Sequence, residues 1–255
     1  MKLFYLIASM VSLSIQALQL TQQEIARVGR IIWQNECKQK KENLVLWNAH
    51  EEFPSLGIGH FIWHTKPNDV PFTQQFPELI LFLKKNNIQV PLWMASPYAP
   101  WPDRKAFLSD RNSNRTHELL KILSETIDLQ SKFIVHRFET QSMPKMLQMV
   151  SVTERNSINK QLQRLYDTPG GAFAVIDYVN FKGDGTHPQE RYNKMGWGLL
   201  QVLLSMKEIG SPLQDFVTSA QEQLKQRVQN SPKERNEQRF LQGWNNRIKS
   251  YLSVK

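Results

Sequence analysis

Thr21-Gln-Gln-Glu-Ile-Ala-Arg-Val-Gly-Arg-Ile-Ile-Trp-Gln-Asn-Glu36 and, a short way on, Phe53-Pro-Ser-Leu-Gly-Ile-Gly-His-Phe-Ile-Trp63 decide the fold class of this chain. Thr21 with Glu24 three residues later is a capping box, in which each side chain satisfies an otherwise orphaned backbone N–H at a helix start. The pattern predicts a helix from about Gln22 to Glu36 or slightly beyond. Its apolar stripe is Ile25, Val28 and Ile32, and the same spacing arrives at Glu36. Eleven residues at about 100° each make about three turns plus 20°, so Glu36 points the way Ile25 does. An acid therefore stands on the inward face. In the second stretch, Gly57 and Gly59 alternate with Ile58 among β-branched and aromatic neighbours. That pattern reads as a short twisted strand or hairpin whose backbone something else approaches closely. It is the one convincing β signal in the sequence.

Outward from these segments the chain reads as helix punctuated by proline. Lys38 to Asn43 is a polar turn, Gln74 to Asn86 a helix, and Pro91 to Pro102 an aromatic loop containing Trp93 and Trp101, suited either to stacking on sugars or to lidding the core. Helical patterns follow at about 116–124, 127–139 and 153–166, and another opens at Pro169-Gly-Gly171 and runs into the loop Lys182-Gly-Asp-Gly-Thr-His-Pro188. Gly198 to Lys207 is almost wholly apolar and is expected to be the central buried helix. The tail reads as two polar helices broken near Ser231-Pro232. From Lys207 onward it holds nine basic and five acidic side chains, the composition of a solvated face. With no internal repeat and no flexible linker, the expectation is a predominantly helical α+β fold with a small β-hairpin, forming a single domain over residues 19–255.

Composition narrows the function classes. At 255 residues with 40% hydrophobic content, the chain can build one sizeable core. Cys37 is the sole cysteine, which excludes an intramolecular disulfide framework and a Cys-rich zinc module. A formal charge of +9 favours a negatively charged partner surface such as an acidic cell wall. Behind Lys2, residues Leu3 to Ile15 form an apolar run of 13, with small residues at Ser14 and Ala17. This is short for a bilayer span and has the layout of a secretory signal, so residues 1–18 are expected to be removed and the remainder to be periplasmic or secreted, with no transmembrane segment. No compact Arg/Lys cluster accompanies the charge, so nucleic acid is not the expected partner.

The chemistry such a chain can carry starts from Glu36. Glycoside cleavage needs a carboxylic acid that keeps its proton near neutral pH, and an inward-facing helix position supplies one by desolvating the anion. The residues around it resemble a known family. Asn35-Glu36, a loop, then Ser55-Leu-Gly-Ile-Gly-His60 is similar to the signature of phage-type lysozymes, where a helix-borne Glu precedes a hairpin reading Thr-x-Gly-x-Gly-His. The resemblance spans residues 22–64 and implies a lysozyme-like fold and cleavage of peptidoglycan. It makes Glu36 the general acid, Ser55 the hydroxyl that helps place the attacking water, and His60 a structural histidine. The family's second carboxylate, an aspartate ahead of the hairpin, has no counterpart. The segment offers Glu42, Asn48, Glu51 and Glu52 instead, and the spacing is several residues longer. Glu51 or Glu52 is the candidate replacement, and because neighbours on a strand face opposite ways at most one can face the reacting centre.

A weaker likeness lies at Gly198-Leu-Leu-Gln201, which is similar to the Gly-Leu-Met-Gln stretch of lytic transglycosylases, enzymes that cut the same polymer with one glutamate. Those enzymes carry it close behind the catalytic residue, whereas here it trails Glu36 by about 160 residues. Gln201 therefore reads as part of a core helix with a candidate place in a substrate groove. Asp177, Tyr178 and Asn180, beside the Gly-rich loop, are further groove candidates suited to hydrogen bonding and ring stacking. Cys37, at a helix C-terminus without a paired base, reads as core. His60 and His64 lack a third ligand, so no metal and no cofactor is expected. The expectation is an exported, monomeric, muramidase-like glycosidase. Its alternatives are a transglycosylase using Glu36 alone and a non-enzymatic wall-binding protein.

Overall fold

The computed structural model describes residues 20–67, 73–188 and 190–254. The expected export signal, residues 1–18, lies outside them. Helix α1 (Gln22–Cys37) begins as its capping box dictates: Thr21 Oγ1 accepts from the Glu24 N–H at 3.2 Å, and Glu24 Oε2 accepts from the Thr21 N–H at 2.7 Å. Lys38 ends it in the left-handed region with φ 53°, its N–H returning to the Gln34 carbonyl. Val28 and Ile32 are buried with Gly29 between them. A Cβ at Gly29 would overlap the Ser131 side chain of helix α5 (Ile127–Arg137), so the missing side chain lets the two helices cross closely.

The expected hairpin is the larger part of a three-stranded antiparallel sheet. Strand β1 (Val45–Leu46) pairs with β2 (Ser55–Leu56), Val45 opposite Leu56, and β2 pairs with β3 (Phe61–Ile62), Ser55 opposite Ile62. Gly57 turns the chain at φ 70°, where a side chain would also collide with Gln130 Oε1. That oxygen accepts from the Ile58 N–H at 2.9 Å, so α5 fixes the hairpin tip. Helix α2 (Phe76–Lys85) packs on β3, and α4 (Asn114–Glu125), which follows the short α3 (Arg104–Ser109), packs on β1. Trp101 of the aromatic loop is a core residue 6.3 Å from Trp63, which places it under the lidding alternative; Trp93 is partly buried over Trp63.

After α5 the helix widens into a π turn over Phe138–Ser142 and resumes as α6 (Met143–Gln148), followed by α7 (Val152–Tyr166) and α8 (Gly171–Lys182). A second hairpin, β4 (Arg191–Tyr192) with β5 (Met195–Gly196), precedes α9 (Leu199–Ser205), α10 (Pro212–Asn230) and α11 (Gln238–Ser250). This hairpin corrects the reading of a single β region. Its turn residues Asn193 and Lys194 both have positive φ, the geometry that joins two antiparallel strands through a two-residue loop. The central helix is also corrected. α9 is buried at Leu199, Leu200, Val202 and Leu203, but α8 is buried at every position from Phe173 to Tyr178 and packs against α1, α5, α7, α9 and α10. A helix buried on all sides sits in the middle, and one buried along a stripe sits at its side. The described residues are thus mostly helical with small antiparallel sheets, and the buried side chains from Val28 to Tyr251 join in one core. No helix among them is long and apolar enough to cross a membrane.

Candidate functional site

Helices α1, α8 and α11 meet at one ion cluster. Glu36, in the last turn of α1, has a carboxylate that the helix dipole disfavours, and the surroundings offset this with donors from three other elements. Arg247 of α11 donates from Nη2 to Oε1 at 2.7 Å, Asn180 of α8 from Nδ2 to the same oxygen at 3.5 Å, and His60 Nδ1, at the hairpin tip, lies 3.4 Å from Oε2. Asn180 also lies against Gly59, where a Cβ would come within 3.1 Å of its Oδ1. The close approach that the double glycine announces is made by Gln130, Asn180 and the ring of Phe61.

Behind this first ring of contacts, Asp177 holds Arg247 in place. Arg247 donates from Nε to Asp177 Oδ2 at 2.9 Å and from Nη2 to Oδ1 at 2.8 Å, the bidentate geometry that fixes a guanidinium in both distance and plane. Tyr251 donates to Asp177 Oδ2 at 2.7 Å and Asn35 to Oδ1 at 3.4 Å, so the fully buried carboxylate accepts from three side chains. Arg247 also lies 4.2 Å above the ring of Phe181.

These contacts reverse the expected titration of Glu36. Burial, the largest single influence, pushes its pKa up as the sequence suggests. The hydrogen bond to His60, the charge of Arg247, the charge of His60 when that ring is protonated and the Arg247 hydrogen bond together outweigh burial and bring it down to about 2. Glu36 is therefore ionised at neutral pH, not the standing carboxylic acid that desolvation alone would make. Its thiol neighbour Cys37 moves the other way: burial first and the Glu36 charge second push it up to about 12, and the buried Sγ faces the Gly57 carbonyl at 3.6 Å. Cys37 is a core residue.

The remaining candidates separate. Ser55 is buried and donates to Glu51 Oε2 at 3.3 Å, an oxygen that also accepts from Asn48; Glu52 is exposed. The two adjacent acids lie in the loop between β1 and β2, not on a strand, and the described side-chain contacts of Glu51 and Ser55 are with each other and Asn48 rather than with Glu36. Tyr178, expected to line a groove, is buried in the core with its hydroxyl on the Trp197 carbonyl at 2.8 Å. Asp177 is likewise interior and works through Arg247. Gln201, the other groove candidate, uses its amide inside the protein, Oε1 accepting from the Gly198 N–H at 3.0 Å and Nε2 donating to the Gly185 carbonyl at 3.2 Å. It ties the loop after α8 to the start of α9. His64 is buried edge-on to Phe53 at 5.4 Å, apart from the His60 contact with Glu36. Among the described residues no group of three or more His, Cys, Asp or Glu is placed to hold a metal ion.

Sequence reasoning missed Arg247, counted above with the solvated tail although its side chain is only 13% exposed. The signal available was weak: Trp244 and Ile248 of α11 and Tyr251 just beyond its end repeat at helical spacing and show which side turns inward, and Arg247 borders that side. The cluster is a buried carboxylate centre on an α+β frame. Comparison with known proteins adds nothing to that description, since no family model, no curated protein and no solved structure matches the chain.

Proposed function

We propose that this chain is an exported, lysozyme-like protein that cleaves peptidoglycan or a related glycan polymer, with Glu36 as the reacting carboxylate. The observation that carries the reading is the 3.4 Å contact between Glu36 and His60, which joins the helix acid to the Gly-x-Gly-His hairpin. Two features support it. His60, whose Nδ1 faces Glu36, keeps its Nε2 buried without a hydrogen-bond partner among the described residues, an unsatisfied polar atom of the kind found at functional sites. The formal charge of +9 suits an anionic wall polymer, and the apolar run over residues 3–15 suits export.

The ionised resting state defines what the reaction requires. Before Glu36 can protonate a glycosidic oxygen it must take up a proton itself, and Arg247 must give up Oε1. Arg247 already makes two hydrogen bonds to Asp177, so its charge stays compensated when it lets go. Once Arg247 has turned away, only His60 still opposes burial at Glu36, and its pKa rises from about 2 in the direction a proton donor needs. Asn180 and His60 then hold the carboxyl in position, and an oxocarbenium-like transition state forms next to it.

Mass spectrometry of purified peptidoglycan after digestion tests this. The expected result is soluble fragments from the wild type and at least a ~100-fold smaller release by Glu36→Gln, which keeps the side chain's shape but cannot transfer its proton. Fragments with added water identify a hydrolase, and anhydro ends identify a transglycosylase. The second reading, a wall-binding protein without turnover, is favoured by one feature: no second carboxylate among the described residues touches Glu36. Binding to sedimented wall with no fragments from either form selects it.

A further inference from the structure

Lys182 ends α8 two residues beyond Asn180, and its ammonium is set among aromatic rings. Nζ lies 4.1 Å from the ring centroid of Phe181 and 3.4 Å from that of Trp244. Two guanidinium groups share those rings. Arg247 is 4.2 Å from Phe181, so it lies within about 8 Å of Lys182, and Arg227 is 5.0 Å from Trp244 and 4.1 Å from Trp197. Both guanidinium groups are spoken for: Arg247 by Asp177 and Glu36, Arg227 by Glu237 at 2.7 and 2.8 Å, with Arg235 also on Glu237 at 3.2 Å. Lys182 is different. Among the described residues nothing hydrogen-bonds or ion-pairs with its ammonium.

Stacking on aromatic faces attracts a cation by about 0.5–2 kcal/mol but leaves its three N–H donors without acceptors. Burial, with Arg227 and Arg247 adding and Glu237 and Glu36 opposing, holds the lysine well below its ordinary range. An anion arriving at Nζ would supply the missing acceptors and restore the charge. Phe181, Lys182 and Trp244 are each only partly buried, and Phe240, stacked on Trp244 at 5.8 Å, is 42% exposed, so the place is reachable from solvent. The anion's chemistry follows from what is left over. Phosphate is best gripped by guanidinium forks, and both forks here are already on carboxylates. One ammonium between aromatic walls suits a single monovalent carboxylate attached to a body with apolar faces.

We infer that Lys182, walled by Phe181 and Trp244, is an anion subsite that takes the carboxylate of an acidic saccharide, adjoining Glu36 through Arg247 and Asn180. The identity of the ligand rests on the glycan reading above; the setting of the Lys182 ammonium between Phe181 and Trp244 does not. In a peptidoglycan chain the carboxylate comes from the lactyl group of a muramic unit or from the peptide attached to it.

The test is NMR of the 13C-lysine-labelled full chain, with the Lys182 Cε resonance assigned by its disappearance in Lys182→Met or Lys182→Arg. N-acetylmuramic acid, muramyl dipeptide and neutral N-acetylglucosamine serve as probes. The expected result is an upward move of the Lys182 titration with an acidic probe and none with the neutral one, together with an acidic-probe affinity at least tenfold lower in Lys182→Met. A response to N-acetylmuramic acid alone identifies the lactyl carboxylate as the source, and a response to the dipeptide identifies the peptide. Silence toward both acidic probes, or an equal response to the neutral sugar, overturns the subsite. The two proposals fail separately. Wall cleavage with a silent Lys182 overturns only the subsite, whereas a responding Lys182 in a protein that releases no fragments supports the subsite and overturns cleavage.

Discussion

Glu36 and Glu190 are both withdrawn from water, and burial is the strongest influence on each, yet they end on opposite sides of the ordinary carboxylate range. Glu36 is held at about 2 because His60 and Arg247 together outweigh its burial. Glu190 is pushed up to about 7 by burial first and by the Asp184 charge second, with only Arg227 opposing. It lies against the backbone of Gly183, and Arg227, the cation nearest in effect, is committed to Glu237. Depth alone therefore does not decide the protonation state of a carboxyl in this protein. What decides it is whether donors and cations, here His60 and Arg247, are directed at it.

The strongest way to break that contrast is Arg247→Met, which removes the cation shared by Glu36 and the fully buried Asp177. Leaving buried carboxylates without their partner costs about 3–5 kcal/mol, so urea unfolding is expected to show a loss of that size at neutral pH. With Arg247 gone and His60 alone opposing burial, the Glu36 titration followed by 13C NMR is expected to move up from about 2. A variant as stable as the wild type, with Glu36 still titrating near 2, would show that the cation does not set the difference.

Glu190→Gln sharpens the contrast from the other side. Glu36, lower in the fold than its unfolded value of 4.5, contributes stability that is complete above 4.5 and is lost as pH falls toward 2; in full it amounts to about 3 kcal/mol. Glu190 has the opposite sign. Its folded pKa is above the unfolded 4.5, so its burial is tolerated at low pH and begins to cost stability as pH rises from 4.5 through about 7. The Gln variant cannot ionise. It is expected to be more stable than the wild type by about 1–2 kcal/mol at pH 8, after allowance for partial exposure, and to keep the acid-side decline unchanged. Denaturant curves at a series of pH values read both limbs. A variant no more stable at pH 8 than the wild type would place Glu190 in water.

These two acids also mark what sequence can convey. The capping box, the inward face of α1, the Gly57–Gly59 turn and the break at Ser231-Pro232 are local signals, each written in a few neighbouring residues, and the corresponding elements appear. Glu36 pointing inward is of the same kind. The sign of its titration is not, because Arg247 arrives from a helix at the far end of the chain and nothing near Glu36 announces it. Tyr178 and Gln201 were misplaced for a related reason. A polar atom on a central helix looks like a ligand contact until the backbone carbonyl or N–H that satisfies it, of Trp197, Gly198 or Gly185, comes into view. The β4–β5 hairpin escaped because strands of two residues carry no alternation, and only its Asn193-Lys194 turn was there to be read.

Ser55→Ala has the smallest expected effect on stability and bears on a third acid, Glu51, which is held by neutral donors instead of a cation. The Ser55 hydroxyl donates to Glu51 Oε2 at 3.3 Å, and Asn48 Nδ2 donates to the same oxygen at 3.0 Å. Removing one of two neutral donors from a carboxylate that water can still reach costs about 0.5–1 kcal/mol. Because none of the described contacts of Ser55 reaches Glu36, the Glu36 titration is expected to stay near 2 and fragment release from peptidoglycan to change less than about threefold. The lysozyme resemblance implies otherwise, since a hydroxyl that places the attacking water contributes at the reacting centre itself and its loss costs about 100-fold or more. A drop of that size, with stability and the Glu36 titration unmoved, would bring Ser55 back to the reaction and require the hairpin to close toward Glu36 when the polymer binds.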